Sequence, residues 1–313
     1  MAAKVFIDGE AGTTGLQIAD RLRDRRDLEL VSIEPDLRKD THERQKLMNA
    51  ADAVVLCLPD DAAREAVKLI ENPDVAIVDA STAHRIADGW TYGFPEMTKG
   101  HREKIANCKR ISNPGCYPTG FLALVRPLRE AGLLPEDFPV TVNAVSGYTG
   151  GGKGMIAQFE DPQNPDYAAE AYRIYALSQQ HKHPPEMMVH GLLSHRPMFT
   201  PSVGRYAQGM IVEVPLMLWA LPGAPKRKDL HAAISSAFAG EAFINIPTLE
   251  EVDQIAKLEP EALNNTNTME LFVFGDDEQT RLVARLDNLG KGASGAAVQN
   301  LNILLGLEEG AGL

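Results

Sequence analysis

Cysteines, aromatic residues and long apolar runs are scarce in this chain of 313 residues, and its net charge is not positive. Three cysteines, Cys57, Cys108 and Cys116, do not make a disulfide framework. Because 43 acidic residues outnumber 31 basic ones, the net charge of −12 argues against nucleic acid as the main partner. No apolar run is long enough to span a bilayer, and the start at Met1 lacks the apolar stretch of a signal peptide. We therefore expect a cytoplasmic protein with no membrane partner.

The first third of the sequence predicts a nucleotide-binding α/β fold. A short apolar strand at 4–8 runs into a turn with glycines at positions 9, 12 and 15, and a helix follows to about residue 23. In that arrangement a pyrophosphate rests on the N-terminus of the helix. The spacing alone is a weak signal, because glycines also make ordinary turns. Further strands are expected at 28–33, 53–58 and 75–79, and helices are expected between them. This alternation predicts a Rossmann-type, doubly wound parallel sheet.

The end of the second strand bears on the choice between NAD and NADP. Glu34 is placed to bond a ribose hydroxyl, which would favour NAD. Arg38 and Lys39 follow closely and suit a 2′-phosphate, which would favour NADP. A solvated polar loop is the third interpretation, and the residues alone leave the choice open.

Cys116 follows a Pro-Gly turn and opens a predicted helix that runs from residue 118 to about 130. Gly115 offers backbone angles closed to other residues, so the turn is expected to hold the thiol at the lip of a cleft. A helix N-terminus favours thiolate, the form that attacks carbonyl carbon. A buried structural cysteine is the alternative. Cys57, in an apolar strand, is expected in the core, and Cys108 is expected to be incidental.

Two stretches in the second half carry candidate polar groups. Residues 147–154 hold five glycines and Lys153, and are expected to cradle an anion unless they form only a flexible loop. His181, His183 and Glu186 lie within six residues, and imidazole is suited to proton transfer near neutral pH. The same three side chains could bind zinc, but no further ligand lies at a motif distance. His195, like His190, competes with His183 for the role of base.

The remaining sequence predicts an α+β domain with a mixed sheet. Strands are expected at 140–146, 207–219, 269–274 and 279–286, with a helix at 228–238. Such a sheet with flanking helices is a natural dimerisation surface. Leu216, Leu218 and Trp219 are expected in the core or an interface rather than in a site. The small residues near 292–297 open a last helix, whose residues Val298, Leu301 and Leu305 share one face.

Residues 113–120, Asn-Pro-Gly-Cys-Tyr-Pro-Thr-Gly, with Arg126 and Pro127 beyond them, resemble the active-site signature of N-acetyl-γ-glutamyl-phosphate reductases. That family is related to aspartate-semialdehyde dehydrogenases, and the shortness of this chain resembles its shorter subtype. The resemblance implies an oxidoreductase of arginine biosynthesis that uses NADPH to reduce N-acetyl-γ-glutamyl phosphate to N-acetylglutamate 5-semialdehyde, with release of phosphate. It implies attack by the Cys116 thiolate, a thioester intermediate and acid–base work by His183. A sibling reductase acting on aminoadipyl or aspartyl phosphate, a redox-sensing regulator and a zinc hydrolase are the alternatives.

The residue patterns and the resemblance together give expectations for individual residues and for the domains. The catalytic residues are expected to be Cys116, His183 and Asn113. Substrate contacts are expected from Arg85, Lys153, His181, Glu186 and Arg205. Cofactor contacts are expected from Gly9, Gly12, Thr13, Thr14, Gly15, Arg38, Lys39, Gly292 and Asn300. The NADP-binding domain is expected to span 1–117 with 290–313, and the catalytic and oligomerisation domain 118–289. The assembly is expected to be a homodimer or homotetramer, and no metal is expected.

Overall fold

The chain divides into two compact units in the computed structural model, which describes residues 2–313. One unit comprises residues 1–95, 100–114 and 293–313, and the other comprises residues 96–99 and 115–292. The first is called the N-terminal unit and the second the catalytic unit below. The predicted domain bounds of 117/118 and 289/290 stay a prediction.

The N-terminal unit contains a six-stranded, fully parallel sheet with helices on both faces. Its strands are β1 Ala3–Asp8, β2 Leu28–Val31, β3 Ala53–Leu56, β4 Ala76–Asp79, β5 Thr91–Tyr92 and β6 Arg110–Ser112. Its helices are α1 Thr13–Leu22, α2 Thr41–Ala50, α3 Asp60–Leu69, α4 His101–Ala106 and α10 Gly295–Leu304. The strand order β2-β1-β3-β4-β6-β5 reverses direction between β1 and β3, which is where such sheets bind ligands.

Alternation along β1 explains the two faces of this sheet. Val5 and Ile7 pack with Ile18 of α1 and with α10, whereas Phe6 packs on the opposite side with Met48 of α2. Successive side chains of a strand point to opposite faces, so a strand that is apolar throughout must be covered twice. The predicted doubly wound sheet is confirmed.

The catalytic unit contains a seven-stranded mixed sheet of order β11-β12-β13-β10-β7-β9-β8. Its strands are β7 Thr141–Gly147, β8 Tyr172–Ile174, β9 Met198–Gly204, β10 Met210–Met217, β11 Ile244–Asn245, β12 Met269–Gly275 and β13 Gln279–Leu286. Its helices are α5 Cys116–Glu130, α6 Gly152–Glu160, α7 His183–His190, α8 Arg227–Ala237 and α9 Leu249–Val252. The pairs β7–β9 and β11–β12 are parallel and the others antiparallel, which confirms the predicted mixed sheet.

Helix α5 lies directly on this sheet because Gly120 permits a close approach. A Cβ atom at Gly120 would lie 3.0 Å from Val212 of β10 and 3.3 Å from Ala284 of β13. The contact fixes α5, and therefore its first residue, to the centre of the sheet.

Three predicted elements differ in the structure. The glycine-rich stretch is a 3-10 turn, Tyr148–Gly151, followed by helix α6, because Phe159 of α6 is buried and stacks on Tyr148 with ring centroids 5.0 Å apart. The strand expected at 207–219 covers only Met210–Met217; Leu218 is buried, while Trp219 is exposed. A single π-helical segment, Gly290–Ser294, precedes α10.

Candidate active site

Cys116 is the first residue of α5, and Gly115 caps that helix. The prediction that Gly115 uses a conformation closed to other residues is wrong, because its φ of −75° and ψ of 150° are ordinary extended backbone. The Gly115 carbonyl instead accepts two bonds, from the backbone N–H and the hydroxyl of Thr119, each at 3.0 Å. These bonds close the first turn of α5, so the half-buried thiol is held at a helix N-terminus.

Charge at this helix end suits a thiolate. The first turn of α5 contains no acidic side chain, and a helix of 15 residues presents partial positive charge at its N-terminus. Backbone N–H groups there also suit an oxyanion that forms next to the sulfur.

Glu186 of α7 holds the Cys116 turn in place. Its buried carboxylate oxygen Oε1 accepts a bond of 2.8 Å from the backbone N–H of Gly115. Through this contact Glu186 positions the nucleophile, while its predicted contact with substrate stays a prediction.

A cavity of about 240 Å³ opens beside Cys116 within the catalytic unit. It brings Cys116, His181 and His183 together, although the histidines are 65 or more positions away along the chain. The other residues that line it are Tyr117, Ser146, Gly147, Gly150, Gly151, Met155, Tyr175, Lys182 and Val203.

The two histidines form an ordered pair. Their ring centroids lie 4.6 Å apart in an edge-to-face arrangement, and the backbone N–H of His183 donates to His181 Nδ1 at 3.1 Å. Since His181 Nδ1 accepts that bond, a neutral His181 carries its proton on Nε2. His181 is therefore fixed in orientation and supports the ring of His183.

Two tyrosines that the sequence reasoning missed also belong to this site. The Tyr175 hydroxyl donates to the Tyr117 hydroxyl at 3.0 Å, and Tyr117 donates to the Ser202 carbonyl at 3.3 Å. Burial, reinforced by the charge of the Cys116 sulfur, raises the pKa of Tyr175 to about 12. Burial likewise raises the pKa of Tyr117. Both hydroxyls thus stay protonated near neutral pH and are able to donate hydrogen bonds.

Three residues considered for this site do not line the cavity. Lys153 is exposed on the first turn of α6. Arg205 binds the Tyr167 hydroxyl at 2.7 Å and the Ala168 carbonyl, and its guanidinium lies 5.8 Å from the centroid of the Phe159 ring. The rival base His195 is exposed.

Gly292 also contacts the nucleophile. A Cβ atom added at Gly292 would lie 2.8 Å from the Cβ of Cys116, so any larger residue would displace the thiol. The catalytic unit thus places this predicted cofactor-binding glycine directly against Cys116.

The glycine turn after β1 is shaped for a close backbone approach. Gly9 has a φ of +89°, and a Cβ there would lie 2.3 Å from the Cys57 carbonyl oxygen. A Cβ at Gly15 would lie 2.5 Å from the carbonyl oxygen of Gly9. Gly12 caps α1, which begins at Thr13, and the first backbone N–H groups of a helix have no partner within it.

A second cavity, of about 360 Å³, lies in the N-terminal unit at the ends of β1 and β3. Gly9 lines it together with both predicted phosphate contacts, Arg38 and Lys39. Arg44 of α2 lines it too, and grips the buried Asp8 through bonds of 2.6 and 3.2 Å. The sequence reasoning missed Arg44, which lies in helix α2.

Arg85, Asn113 and Asn300 form one hydrogen-bonded network in the N-terminal unit. The buried Arg85 donates from Nε to the Asn113 carbonyl at 2.9 Å. The Asn113 amide donates to the Ala293 carbonyl at 3.0 Å and accepts from Asn300 Nδ2 at 3.1 Å. Asn300 also donates to the Gly93 carbonyl at 2.8 Å. These contacts fix the chain just before the nucleophile, and the predicted ligand contacts of the three side chains stay predictions.

Residues 2–313 contain neither a metal-binding cluster nor a membrane-spanning helix. No cluster of three or more His, Cys, Asp or Glu side chains in that range is arranged to hold a metal ion. No helix in the same range has the length and apolar character needed to cross a membrane.

Comparison with known proteins identifies the family to which this chain belongs. A family model described as the semialdehyde dehydrogenase dimerisation domain matches residues 116–288, and one described as the semialdehyde dehydrogenase NAD binding domain matches residues 34–107. The structure resembles aspartate semialdehyde dehydrogenase II from Vibrio cholerae, complexed with ASA, with a TM-score of 0.71 and 13% identity over 97% of this chain and 98% of that one. The Candida albicans aspartate semialdehyde dehydrogenase with NADP gives a TM-score of 0.65 and 14% identity, covering 97% of this chain and 99% of that one. The family models place the chain in the semialdehyde dehydrogenase family, and the solved structures share its fold.

Sequence relatives narrow this class. An N-acetyl-gamma-glutamyl-phosphate reductase from Brucella suis is 55% identical over 98% of this chain and 100% of its own length. N-acetyl-gamma-glutamyl-phosphate reductase 2 from Nostoc is 54% identical over 99% of both chains. The chain belongs to the N-acetyl-gamma-glutamyl-phosphate reductase family. The resemblance based on residues 113–120 is confirmed.

Proposed function

We propose that the protein reduces N-acetyl-γ-glutamyl phosphate to N-acetylglutamate 5-semialdehyde and phosphate with NADPH, in arginine biosynthesis. The observation that carries this proposal is Cys116 at the start of α5, in one cavity with His183. The full-length relatives that share more than half of the sequence bear the name of this reductase.

The residues of the N-terminal unit fit a phosphorylated dinucleotide. The Gly9 turn leaves no room for a Cβ atom, and the adjoining cavity combines Arg38, Lys39 and Arg44. Guanidinium and ammonium groups suit a 2′-phosphate, so NADP rather than NAD is the proposed cofactor. When bound, NADPH supplies the hydride for the reduction.

Cys116 performs the covalent step. Its thiolate attacks the acyl carbon, the bond from that carbon to the phosphate oxygen breaks, and phosphate leaves while the acyl group stays on sulfur as a thioester. The N-terminal N–H groups of α5 stabilise the negative charge on the acyl oxygen. Glu186 and Gly292 hold the sulfur in position for this attack.

His183 transfers the protons. Neutral imidazole takes the thiol proton from Cys116 Sγ, and imidazolium returns that proton to Sγ when the carbon–sulfur bond breaks and the aldehyde leaves. His181 accepts a bond from the His183 backbone and so restricts the motion of the pair. Since His195 is exposed and does not line the cavity, His183 is the proposed base.

The remaining predicted contacts complete the proposal. Arg85 is the proposed contact for the substrate phosphate, with Lys153 and Arg205 at other anionic groups. We also propose a homodimer or homotetramer, formed through the sheet of the catalytic unit, which matches a dimerisation domain. The N-terminal unit is the proposed NADP-binding domain, and the proposed location is the cytoplasm.

The decisive assay runs in the oxidative direction. NADP reduction is followed with N-acetylglutamate 5-semialdehyde in the presence and absence of inorganic phosphate. We expect turnover that requires phosphate, since the thioester must be released as an acyl phosphate. Aspartate semialdehyde and the aminoadipate analogue are assayed in parallel, and a clear preference for either would favour a sibling reductase.

A further inference from the structure

A fully buried ion pair lies in the catalytic unit outside the residues assigned above. Lys291 Nζ lies 2.6 Å from Glu96 Oε1, and their side chains are 1% and 0% exposed. The same ammonium group lies 5.6 Å from the centroid of the Phe243 ring. Removing two charges from water is costly, and apolar replacements of buried pairs are often as stable or more stable. Stability alone therefore accounts poorly for this pair.

The position of Lys291 gives another reason. Lys291 is the second residue of the π-helical segment Gly290–Ser294, and such segments often mark functional sites. A Cβ at Gly290 would lie 2.1 Å from the Thr266 carbonyl oxygen, and one at Gly292 would lie 2.8 Å from the Cβ of Cys116. Lys291 thus lies between two glycines that are closely packed. Gly290 packs against the backbone of Thr266, and Gly292 packs against Cys116.

The chain before this segment is also fixed by hydrogen bonds. The Gly292 N–H donates to the Asp287 carbonyl at 2.9 Å, and the Asp287 carboxylate accepts from the N–H groups of Leu289 at 2.9 Å and Asn265 at 2.7 Å. These bonds hold the backbone around Lys291, while the ion pair ties its side chain to Glu96. Glu96 comes from the separate segment 96–99 of the same unit.

We propose that the Glu96–Lys291 pair positions Cys116, acting through Gly292. The inference rests on the proposed function for Cys116. Because Gly292 contacts the Cβ of Cys116, a shift of the segment around Lys291 frees the thiol to leave the orientation needed for attack. Lys291 and Glu96 are positioning residues, since their effect passes through Gly292.

The test removes both charges together, in the double variant Glu96→Gln and Lys291→Met. We expect kcat to fall about tenfold or more, because small displacements of a reacting group are costly, while KM changes little. The rate at which iodoacetamide labels Cys116, followed by mass spectrometry of the Cys116 peptide, is measured against pH. We expect that pH profile to shift. Labelling needs no substrate, so it reports on positioning even if the proposed substrate is wrong.

The control is the pair Arg285–Glu270, which is less buried, with side chains 15% and 17% exposed. It is bonded at 2.8 Å, and its guanidinium lies 5.5 Å from the Phe272 ring centroid. Ala284 faces α5, so its neighbour Arg285 points to the opposite face of the sheet. The double variant Glu270→Gln and Arg285→Met should keep both kcat and the labelling profile.

Wild-type kcat and labelling in the folded Glu96→Gln, Lys291→Met variant would overturn the proposal. If this variant does not fold, Lys291→Arg decides instead, because it keeps the charge and changes the geometry. We expect Lys291→Arg to melt near the wild-type temperature with reduced kcat and a shifted profile. Wild-type values of both for Lys291→Arg would overturn the proposal equally.

Discussion

The two cavities differ in the kind of side chain that lines them. The N-terminal cavity collects three cations, Arg38, Lys39 and Arg44. The catalytic cavity is lined by a thiol, two tyrosines and two histidines. Of the described residues that line it, only Lys182 is a lysine or arginine. Fixed positive charge recognises phosphate, whereas groups that exchange protons suit covalent chemistry.

The comparison shows how a protein of net charge −12 can act on anions. Arg38, Lys39 and Arg44 line the N-terminal cavity beside Asp8 and Glu10, and Asp8 is paired with Arg44. The catalytic cavity instead relies on the helix N-terminus beside Cys116, which favours negative charge without a full cation. If this division holds, variants of the two cavities should affect different kinetic constants.

The largest expected effect is that of Cys116→Ser. We expect at least about a thousandfold loss of kcat, because the hydroxyl is a far weaker nucleophile than the thiolate. NADPH binding, measured by fluorescence titration, should be unchanged. Cys108→Ser is the control and should keep full activity. Wild-type turnover by the Cys116 variant would eliminate the thioester route.

Next in size is His183→Ala, for which we expect about a hundredfold to ten-thousandfold loss of kcat, the range that general acid–base catalysis supplies. His195→Ala should stay near wild type, since His195 is exposed away from the cavity. Steady-state kinetics over pH 6–9 measures both variants. The assignment of the base is wrong if His195→Ala is the impaired one.

The double variant Arg38→Ala and Lys39→Ala should act on the cofactor alone. We expect the Kd for NADPH to rise about tenfold to a hundredfold, the effect of losing charged hydrogen bonds, with kcat at saturation maintained. The Kd for NADH, measured in the same titration, is the control and should change little. Equal weakening of both cofactors would refute the predicted 2′-phosphate contact.

Tyr175→Phe should give the smallest effect, about tenfold or less on kcat/KM, because one neutral hydrogen bond is lost.

The same variant should also change how the stability of the protein depends on pH. The native pKa of Tyr175 is about 12, above its ordinary value of 10, so the stability linked to its proton is present below pH 10 and is lost as pH rises towards 12. The free energy of unfolding, measured by urea titration from pH 8 to 11.5, should therefore fall less steeply with pH for Tyr175→Phe than for the wild type. Identical slopes would contradict the raised pKa.

Much of the fold could be predicted because local patterns and long-range packing agree. The apolar strands β1, β3 and β4 each lie between helices, and their hydrophobic runs are visible without tertiary information. The two-residue strand Thr91–Tyr92 carries no such pattern, since only its partner β6 defines it. Helix α6 was missed because its glycines argue against a helix, and burial of Phe159 overrides that propensity.

The candidate site divides in the same way. Cys116 and the histidines were predictable because each lies in a short motif whose chemistry is evident from its residue types. Tyr175 was not predictable, because its partner Tyr117 lies 58 positions away in the chain. The pair Glu96–Lys291, separated by 195 positions, is equally invisible before the chain folds.

Each of the two units comprises separate segments of the chain, and this matters for the design of truncated proteins. A fragment of residues 115–292 would contain the nucleophile, both cavity histidines and Lys291, yet it would lack Glu96, which belongs to the same unit through residues 96–99. Expressed alone, that fragment would bury an ammonium group without its carboxylate. A truncation that respects this unit must therefore graft the short 96–99 segment back onto it.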